Sequence, residues 1–300
     1  MLRFPEPPTD LPDEQRGEGA MSLRFEDVAQ DGRLLVEAIP HGFGEVVWAK
    51  ILGKHPVVVT FTKQGVVPIL SRVIVEGLGG PIAVRHPLHA VGAFQLAHTV
   101  DDHGAVNRIV MNMWIDVYGT KARTYGPPPE GAGARVHLGR AFAEHVFSRP
   151  FGDPATRKVV ALDVPSLPKV PPDRYVWERG DDVAELPAGA TPLDDAPVDA
   201  ASIVFGLDHT DSNQHVNSLV YPRLFQDAAL RRFDALGRST RLLARYVEMT
   251  YRKPCFAGDR LQIVARAFEL DGKLGAVGAF QSSGQVATRP HCWVRTVFEE

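Results

Sequence analysis

The first half of the chain begins with a run of apolar residues spaced like one face of a helix. The stripe consists of Ile39, Phe43, Val46, Val47 and Ile51. This spacing predicts an amphipathic helix over residues 36–52. Pro40 falls in its first turn and Gly53 just after its end, where these residue types suit helix boundaries.

Short apolar runs separated by turn signals predict β-strands around this helix. In the first half they cover residues 22–28, 72–75, 81–84, 88–99 and 108–118. Residues 135–148 instead predict a short amphipathic helix. We therefore expect a strand, one long helix and then an antiparallel meander.

The second half repeats this order. After residues 151–198, which carry eight prolines and read as an extended connection, a strand is predicted at 201–205. A helix then runs to Phe233, with Gly237 near its end. Further strands are predicted at 243–252, 260–270, 274–282 and 291–298. An internal repeat of this kind predicts two similar units.

The predicted division has four parts. Residues 1–20 form a disordered or non-native extension, since they are polar and proline-rich and have little to bury, and Met21 is the expected start. Residues 21–150 and 199–300 form the two units, and residues 151–198 connect them. We expect the two sheets to meet edge to edge, with the helices on one side.

The segment before the second helix carries the candidate chemistry. Asp211, Asn213 and His215 place a carboxylate, a carboxamide and an imidazole at every second position. A helix start offers unpaired N–H groups and a partial positive charge. This segment could therefore supply a base, a hydrogen-bond donor and an oxyanion site. The competing interpretation is ordinary turn and capping chemistry, which uses the same residue types.

The repeat assigns the chemistry to the second unit. Shifting the first unit by 180 positions places Asp31 on Asp211 but Arg33 on Asn213 and Leu35 on His215. The first unit would then keep the carboxylate and lack the amide and the imidazole. The matching Asp31 also favours, to some extent, a turn role for Asp211.

The pattern resembles the hotdog-fold thioesterases, most closely the double-hotdog fatty acyl-ACP thioesterases. The resemblance rests on Asp211-x-Asn-x-His-Val-Asn217, on Tyr221 and on a second segment with Tyr251, Arg252 and Cys255. Pro254 stands where that family has a glutamate. The resemblance covers nearly everything after residue 20. It implies an α+β double hotdog, in which two long helices are each wrapped by an antiparallel sheet.

The resemblance also implies an activity and a site. The expected reaction is hydrolysis of a fatty acyl-ACP or acyl-CoA thioester to the free acid and the thiol, with the first unit walling the acyl pocket. The catalytic residues would be Asp211, Asn213 and His215. The residues Asn217, Tyr221 and Cys255 would bind substrate or assist catalysis, although Asn217 also suits a helix cap and Cys255 a buried wall position.

Composition and charge limit the partners and cofactors that the protein could have. A net charge of −3 with scattered basic residues gives no nucleic-acid-binding surface. Two cysteines, 37 positions apart, form no metal spacing and fit a reducing cytoplasm. No apolar run is long enough to span a membrane. We expect no cofactor and no metal, an acyl-carrier protein or coenzyme A thioester as the partner, and a monomer or homodimer.

Two other functions remain open from the sequence. Hotdog hydratases and dehydratases use a similar segment, but with the His five residues after the Asp and a Pro after the Asn. Here the interval is four residues, and Gln214 follows Asn213. A non-enzymatic acyl-thioester-binding protein would keep the pocket and lack turnover.

Overall fold

The computed structural model describes residues 2–176, 180–195, 197–282 and 289–300. Within these ranges the chain forms one antiparallel sheet. Its strands are β1 (Arg16–Met21), β2 (Val67–Gly77), β3 (Leu88–Val100), β4 (Val106–Thr120), β5 (Arg135–Ser148), β6 (Thr191–Pro192), β7 (Ile203–Val204), β8 (Leu243–Tyr251), β9 (Arg260–Leu270), β10 (Lys273–Ser282) and β11 (Cys292–Glu299). The order across the sheet is β1-β3-β4-β5-β2-β8-β11-β10-β9-β6, and β7 also pairs with β9.

The two halves of the chain meet where β2 pairs with β8. Five residue pairs form this junction, from Arg72 opposite Thr250 to Glu76 opposite Tyr246. The expected edge-to-edge arrangement is therefore present, and the sheet runs across it without a break. The division of the chain into units 21–150 and 199–300 stays a prediction.

A buried ionic cluster lies over this junction. The Glu248 carboxylate accepts hydrogen bonds from Arg72 Nε at 3.0 Å, Arg295 Nη1 at 3.0 Å and Tyr246 Oη at 3.0 Å. A buried carboxylate needs such partners, because an uncompensated buried charge is strongly destabilising. The cluster therefore ties β2, β8 and β11 together on one face of the sheet.

The prediction for residues 135–148 was wrong: they form the long central strand β5, not a helix. β5 pairs with β2 on one side and β4 on the other. Phe142 and Ala143 are consecutive residues of β5, so their side chains point to opposite faces of the sheet, and both are buried. A strand covered on both faces lacks apolar–polar alternation, so its pattern cannot be told from that of a buried helix.

The first helical region is broken rather than continuous. It consists of a 3₁₀ turn at Val36–Ala38, a π-helix at Phe43–Ile51, a second 3₁₀ turn at Leu52–Lys54 and α1 at Pro56–Lys63. The apolar stripe is buried as predicted. Gly53, however, lies inside a turn and does not end the helical region. The expectation of two long helices is therefore corrected for the first half.

The second helix matches its prediction. α2 spans Val220–Ala235 and buries Phe225, Ala229 and Phe233 against the sheet. Gly237 follows it with φ of +66°, a conformation that glycine adopts without strain. One apolar core contains both this helix and the π-helix, so they lie on the same face of the sheet.

The first twenty residues are ordered where the structure describes them, and they bury more than expected. β1 pairs with β3, whereas the predicted strand at 22–28 is an irregular segment with a 3₁₀ turn at Phe25–Asp27. The segment that precedes β1 also contacts the sheet: the Pro5 carbonyl accepts from Trp114 Nε1 at 2.8 Å, and the Phe4 ring lies under the Arg140 guanidinium. The extension thus covers the sheet face that the helices leave open.

The connection over 151–198 has little regular secondary structure in its described residues, and its role as a connection between two units stays a prediction. It contains 3₁₀ turns at Pro154–Thr156 and Gly180–Ala184 and the short strand β6. Residues 177–179 and 196 of this connection lie outside the described residues, and so do residues 283–288 of the second unit. In the described parts of the chain, no helix combines the length and the apolar character that crossing a membrane would require.

A polar pair joins the first helical region to α2. Gln226 Nε2 donates to Glu37 Oε1 beside a cavity of about 10 Å³. The cavity is lined by Val36, Glu37, Val75, Leu219, Pro222, Val247 and Met249. Burial raises the pKa of Glu37, although the bond from Gln226 opposes this shift.

Removing residues 2–20 should destabilise the protein, because the deletion takes away most of β1 and uncovers Trp114. The midpoint of thermal unfolding should fall by at least about 5 °C, since each kcal/mol shifts it by roughly 2–4 °C in a chain of this size. Removing only residues 2–10 keeps β1 and should cost less. An unchanged midpoint in both variants would show that the extension adds no stability.

Replacing Glu37 by Gln should change how stability depends on pH. A raised folded-state pKa means that the folded protein binds this proton more tightly than the unfolded chain does. Stability is therefore lost as pH rises from the ordinary value near 4.5 through the raised value. Glu37→Gln cannot ionise and keeps an acceptor for Gln226, so it should gain stability relative to the parent at pH 8 and not at pH 4.

Urea unfolding at both pH values measures this difference. Glu45→Gln is the matched control, since Glu45 is an exposed carboxylate on the π-helix. If Glu37→Gln changed the free energy of unfolding equally at both pH values, the pKa of Glu37 would not be raised in the folded protein.

Candidate active site

The candidate catalytic loop connects β7 to α2 and folds into a tight turn. Thr210 and Val216 form an isolated antiparallel bridge. Within it, Asp211 N–H donates to the His215 carbonyl at 3.2 Å and Gln214 N–H to the Asp211 carbonyl at 3.0 Å. Gln214 has φ of +65°, in the left-handed region. The turn thus holds positions 211–215 in one compact unit.

The same turn occurs in the first half, but two positions away from the predicted alignment. In this turn, Val28 and Leu34 form the bridge, and the Ala29 N–H donates to the Arg33 carbonyl. Gly32 has φ of +89°. Residues 28 and 34 correspond to 210 and 216, so the structural offset is 182 rather than 180.

This offset corrects the assignment of the first half. Asp211 corresponds to Ala29, and His215 corresponds to Arg33. The first half therefore lacks the carboxylate as well as the imidazole. The argument that a matching aspartate makes Asp211 a turn residue no longer holds.

The Asp211 carboxylate is held by two donors. Oδ1 accepts from the N–H of Asn213 at 2.8 Å, and Oδ2 accepts from Asn217 Nδ2 at 2.9 Å. A carboxylate has about four lone-pair sites, so this leaves acceptor capacity for a water or substrate. Asp211 thus makes the Asx turn and could also serve as a base.

His215 has a defined tautomer. Its Nδ1 lies 3.0 Å from the Val216 carbonyl, which can only accept, so Nδ1 carries the proton in the neutral ring. Nε2 is then left with its lone pair, as a general base requires. Among the described contacts no hydrogen bond joins His215 to the Asp211 carboxylate.

Asn213 and Asn217 differ in their surroundings. Asn213 is exposed, and its backbone N–H makes the bond to Asp211. Asn217 accepts from Leu219 N–H through Oδ1 at 2.8 Å and from Val220 N–H through its carbonyl at 3.1 Å. Asn217 therefore organises the start of α2 and occupies two of the N–H groups that were expected to bind an oxyanion.

Tyr221 and Cys255 lie in a buried cluster next to this loop. Cys255 is fully buried, and its Sγ lies 3.2 Å from His291 Nδ1. His291 Nε2 lies 3.2 Å from Ser282 Oγ. The cluster joins the loop through the Val216 N–H, which donates to the Cys255 carbonyl at 2.8 Å.

The sequence analysis missed His291 and Ser282. No motif connects His291 to Cys255, which is 36 positions away. The signal was in the strand pairing: β8 and β11 were both predicted, and their register places Tyr251 opposite Cys292. Pairing these two predicted strands would have brought residue 291 close to residues 252–255.

Burial disfavours the charged forms of the side chains in this cluster. It raises the pKa of Cys255 to about 11 and lowers the pKa of His291 from its ordinary value. The pKa of Tyr221 is raised by burial and by its hydrogen bond with Cys255. A thiol with such a pKa is a poor nucleophile, because the thiolate is the reactive form.

No metal site is evident in this region. The described residues contain no group of three or more His, Cys, Asp and Glu side chains arranged to hold a metal ion. His209, beside the loop, has a structural contact: its Nδ1 accepts from Gly206 N–H at 3.1 Å.

No family model and no curated protein matches this sequence. Solved structures do match it. The acyl-ACP thioesterase from Bacteroides thetaiotaomicron VPI-5482 is 13% identical with a TM-score of 0.57, and the match covers 96% of this chain and 99% of that chain. The 12:0-ACP thioesterase from Umbellularia californica is 13% identical with a TM-score of 0.58, covering 95% and 94%. Over nearly its whole length, the chain therefore has the hotdog-like fold of these acyl-ACP thioesterase structures.

Proposed function

We propose that this protein is a thioesterase that hydrolyses fatty acyl-ACP or acyl-CoA thioesters to the free acid and the thiol. The observation that carries the proposal is the loop before α2. It presents a carboxylate and an imidazole nitrogen with a free lone pair, whereas the equivalent turn of the first half has Ala29 and Arg33. The likeness to acyl-ACP thioesterase structures along the full chain supports it.

The proposal includes the organisation of the chain. The protein is a double hotdog in which residues 21–150 form a non-catalytic unit and residues 199–300 a catalytic one, connected by residues 151–198. The continuous sheet and the repeated turn support this division. The protein acts in the cytoplasm as a monomer or homodimer on a carrier-protein or coenzyme A thioester, with no added cofactor.

The proposed reaction uses one water. His215 Nε2 accepts a proton from the water while the water oxygen bonds to the carbonyl carbon of the thioester. The electron pair of the carbonyl double bond moves to the carbonyl oxygen, which becomes the oxyanion. Asp211 accepts a hydrogen bond from the same water, and the exposed Asn213 side chain orients it. When the carbonyl re-forms, the C–S bond breaks and the imidazolium returns its proton to the leaving thiolate.

Stabilisation of the oxyanion needs donors other than those of Leu219 and Val220, which Asn217 already occupies. The remaining N–H groups at the start of α2 are the candidates, since the Asn213 side chain is assigned to the water. A donor placed in this way typically contributes about 3 kcal/mol to the lowering of the barrier.

The acyl chain requires an apolar space near the catalytic loop. The cavity at the start of α2 has a volume of about 10 Å³, enough for about one water. The resemblance implies an acyl pocket walled by the first unit, and Val36, Glu37 and Val75 of the first unit line this cavity. A larger surface depression of about 430 Å³ lies at the other end of α2, beside Arg238 and Leu242, away from the catalytic loop. An acyl chain could enter this small cavity only if the helix start or the 3₁₀ turn at Val36–Ala38 shifted.

Replacing Asp211 by Asn tests the proposal. Asn keeps an oxygen to accept from Asn213 N–H, but it cannot act as a base, so turnover should fall by at least about 10²-fold. His215→Ala should behave similarly. The double variant should lose much less than the product of the two losses, because the residues act as one unit. Single-turnover hydrolysis with thiol release as the readout measures this.

Asp31→Asn is the matched control. Asp31 Oδ1 accepts from Arg33 N–H at 2.9 Å in the equivalent turn of the first half, so this variant should keep full turnover. Melting temperatures separate catalytic from structural losses. Full turnover in Asp211→Asn, or a loss that follows a loss of folding, would leave Asp211 as a turn residue only.

A further inference from the structure

The candidate base His215 is connected to the neighbouring segment through the two peptide groups that flank the Cα of Val216. Its Nδ1–H donates to the Val216 carbonyl at 3.0 Å, and the N–H of Val216 donates to the Cys255 carbonyl at 2.8 Å. The Val216 peptides are therefore held between the loop and the segment that carries Cys255. The Cys255 backbone carbonyl is thus the point where this segment contacts the residue that orients the His215 ring.

The Cys255 side chain is itself held from two sides. His291 Nδ1 lies 3.2 Å from Sγ, and the Tyr221 phenol at the start of α2 also bonds to the thiol. His291 is fixed in turn by Ser282 Oγ, 3.2 Å from Nε2. These four side chains come from α2, from the segment after β8, from the end of β10 and from the residue before β11. We call Tyr221, Cys255, Ser282 and His291 the thiol clamp.

The clamp does not resemble a nucleophilic site. Cys255 is fully buried, and its thiol stays protonated at neutral pH. A buried, protonated thiol is better suited to holding its neighbours in position than to attacking a substrate. Placement matters in such a site, because a displacement of about 1 Å can cost 10²-fold in rate.

We propose that His291 is a positioning residue: through the Cys255 thiol and the Val216 peptides it fixes the tautomer and direction of the His215 imidazole. The inference deepens the proposed thioesterase function and rests on it for its effect on turnover. The effect on the His215 ring does not depend on any reaction. The two can therefore be tested separately.

The first test measures the ring itself. In ¹⁵N-labelled protein, the ring nitrogen shifts of His215 report which nitrogen carries the proton. The parent should show a proton on Nδ1, because the Val216 carbonyl accepts from it. His291→Phe, which keeps a ring of similar size without hydrogen-bonding groups, should shift His215 toward a mixture of tautomers. Unchanged His215 shifts in His291→Phe would overturn the proposal.

The second test is a mutant cycle on turnover. His291→Phe and Cys255→Ala should each lower kcat by about 10-fold with little change in KM, and the double variant should lose about the same as either single one, because one connection is cut in each case. His291→Gln, whose amide can still reach Ser282, should recover part of the loss. Losses that multiply would show that the two residues act independently and would contradict the clamp.

Cys292→Ala is the matched control. Cys292 is also fully buried and directly follows His291, but its Sγ bonds to the Trp293 carbonyl and not to the clamp. It should change neither the His215 shifts nor kcat. If the parent protein shows no thioester hydrolysis while the His215 shifts still respond to His291→Phe, the positioning inference stands and the proposed function fails.

Discussion

The pairing of β2 with β8 is the interaction on which the rest of the molecule depends. It converts the strands of two chain halves into one sheet, and only a continuous sheet places both helical regions on the same face. The Glu248 carboxylate, bonded by Arg72 and Arg295, covers the junction from the other face. The two arginines compensate the charge of this buried carboxylate, which would destabilise the fold by several kcal/mol if it had no partner.

The candidate site uses the second half of the sheet for support. The loop around Asp211 is a tight turn whose geometry is set by backbone hydrogen bonds and by Val216, which is buried in the main apolar core. One of these bonds anchors Val216 to the Cys255 carbonyl in the sheet-derived segment. Function in loops positioned by a rigid scaffold is common in proteins. The loop is also held by Tyr251 of β8, whose Oη donates to the Ser218 carbonyl at 2.9 Å.

The repeat shows how one turn can serve two purposes. Both halves close the same hydrogen-bonded turn, and the offset of 182 is visible in the bridge, in two backbone bonds and in the positive φ angle. Sequence comparison gave 180, because Asp31 and Asp211 are identical residues that occupy different places in the turn. Identity of a single residue is a weaker guide than hydrogen-bond register, which fixes every position of the turn at once.

Apolar periodicity and turn residues are local signals, so the strand–helix–meander order, α2 with its buried face, most strands and the residues of the candidate loop could be predicted from the sequence. The identity of residues 135–148 as the interior strand β5 could not, since burial on both faces removes the alternation that marks a strand. The tertiary structure also decided that the first helix is broken and that residues 16–21 complete the sheet edge. The partnership of Cys255 with His291 came from strand register, a long-range pairing that no local pattern encodes.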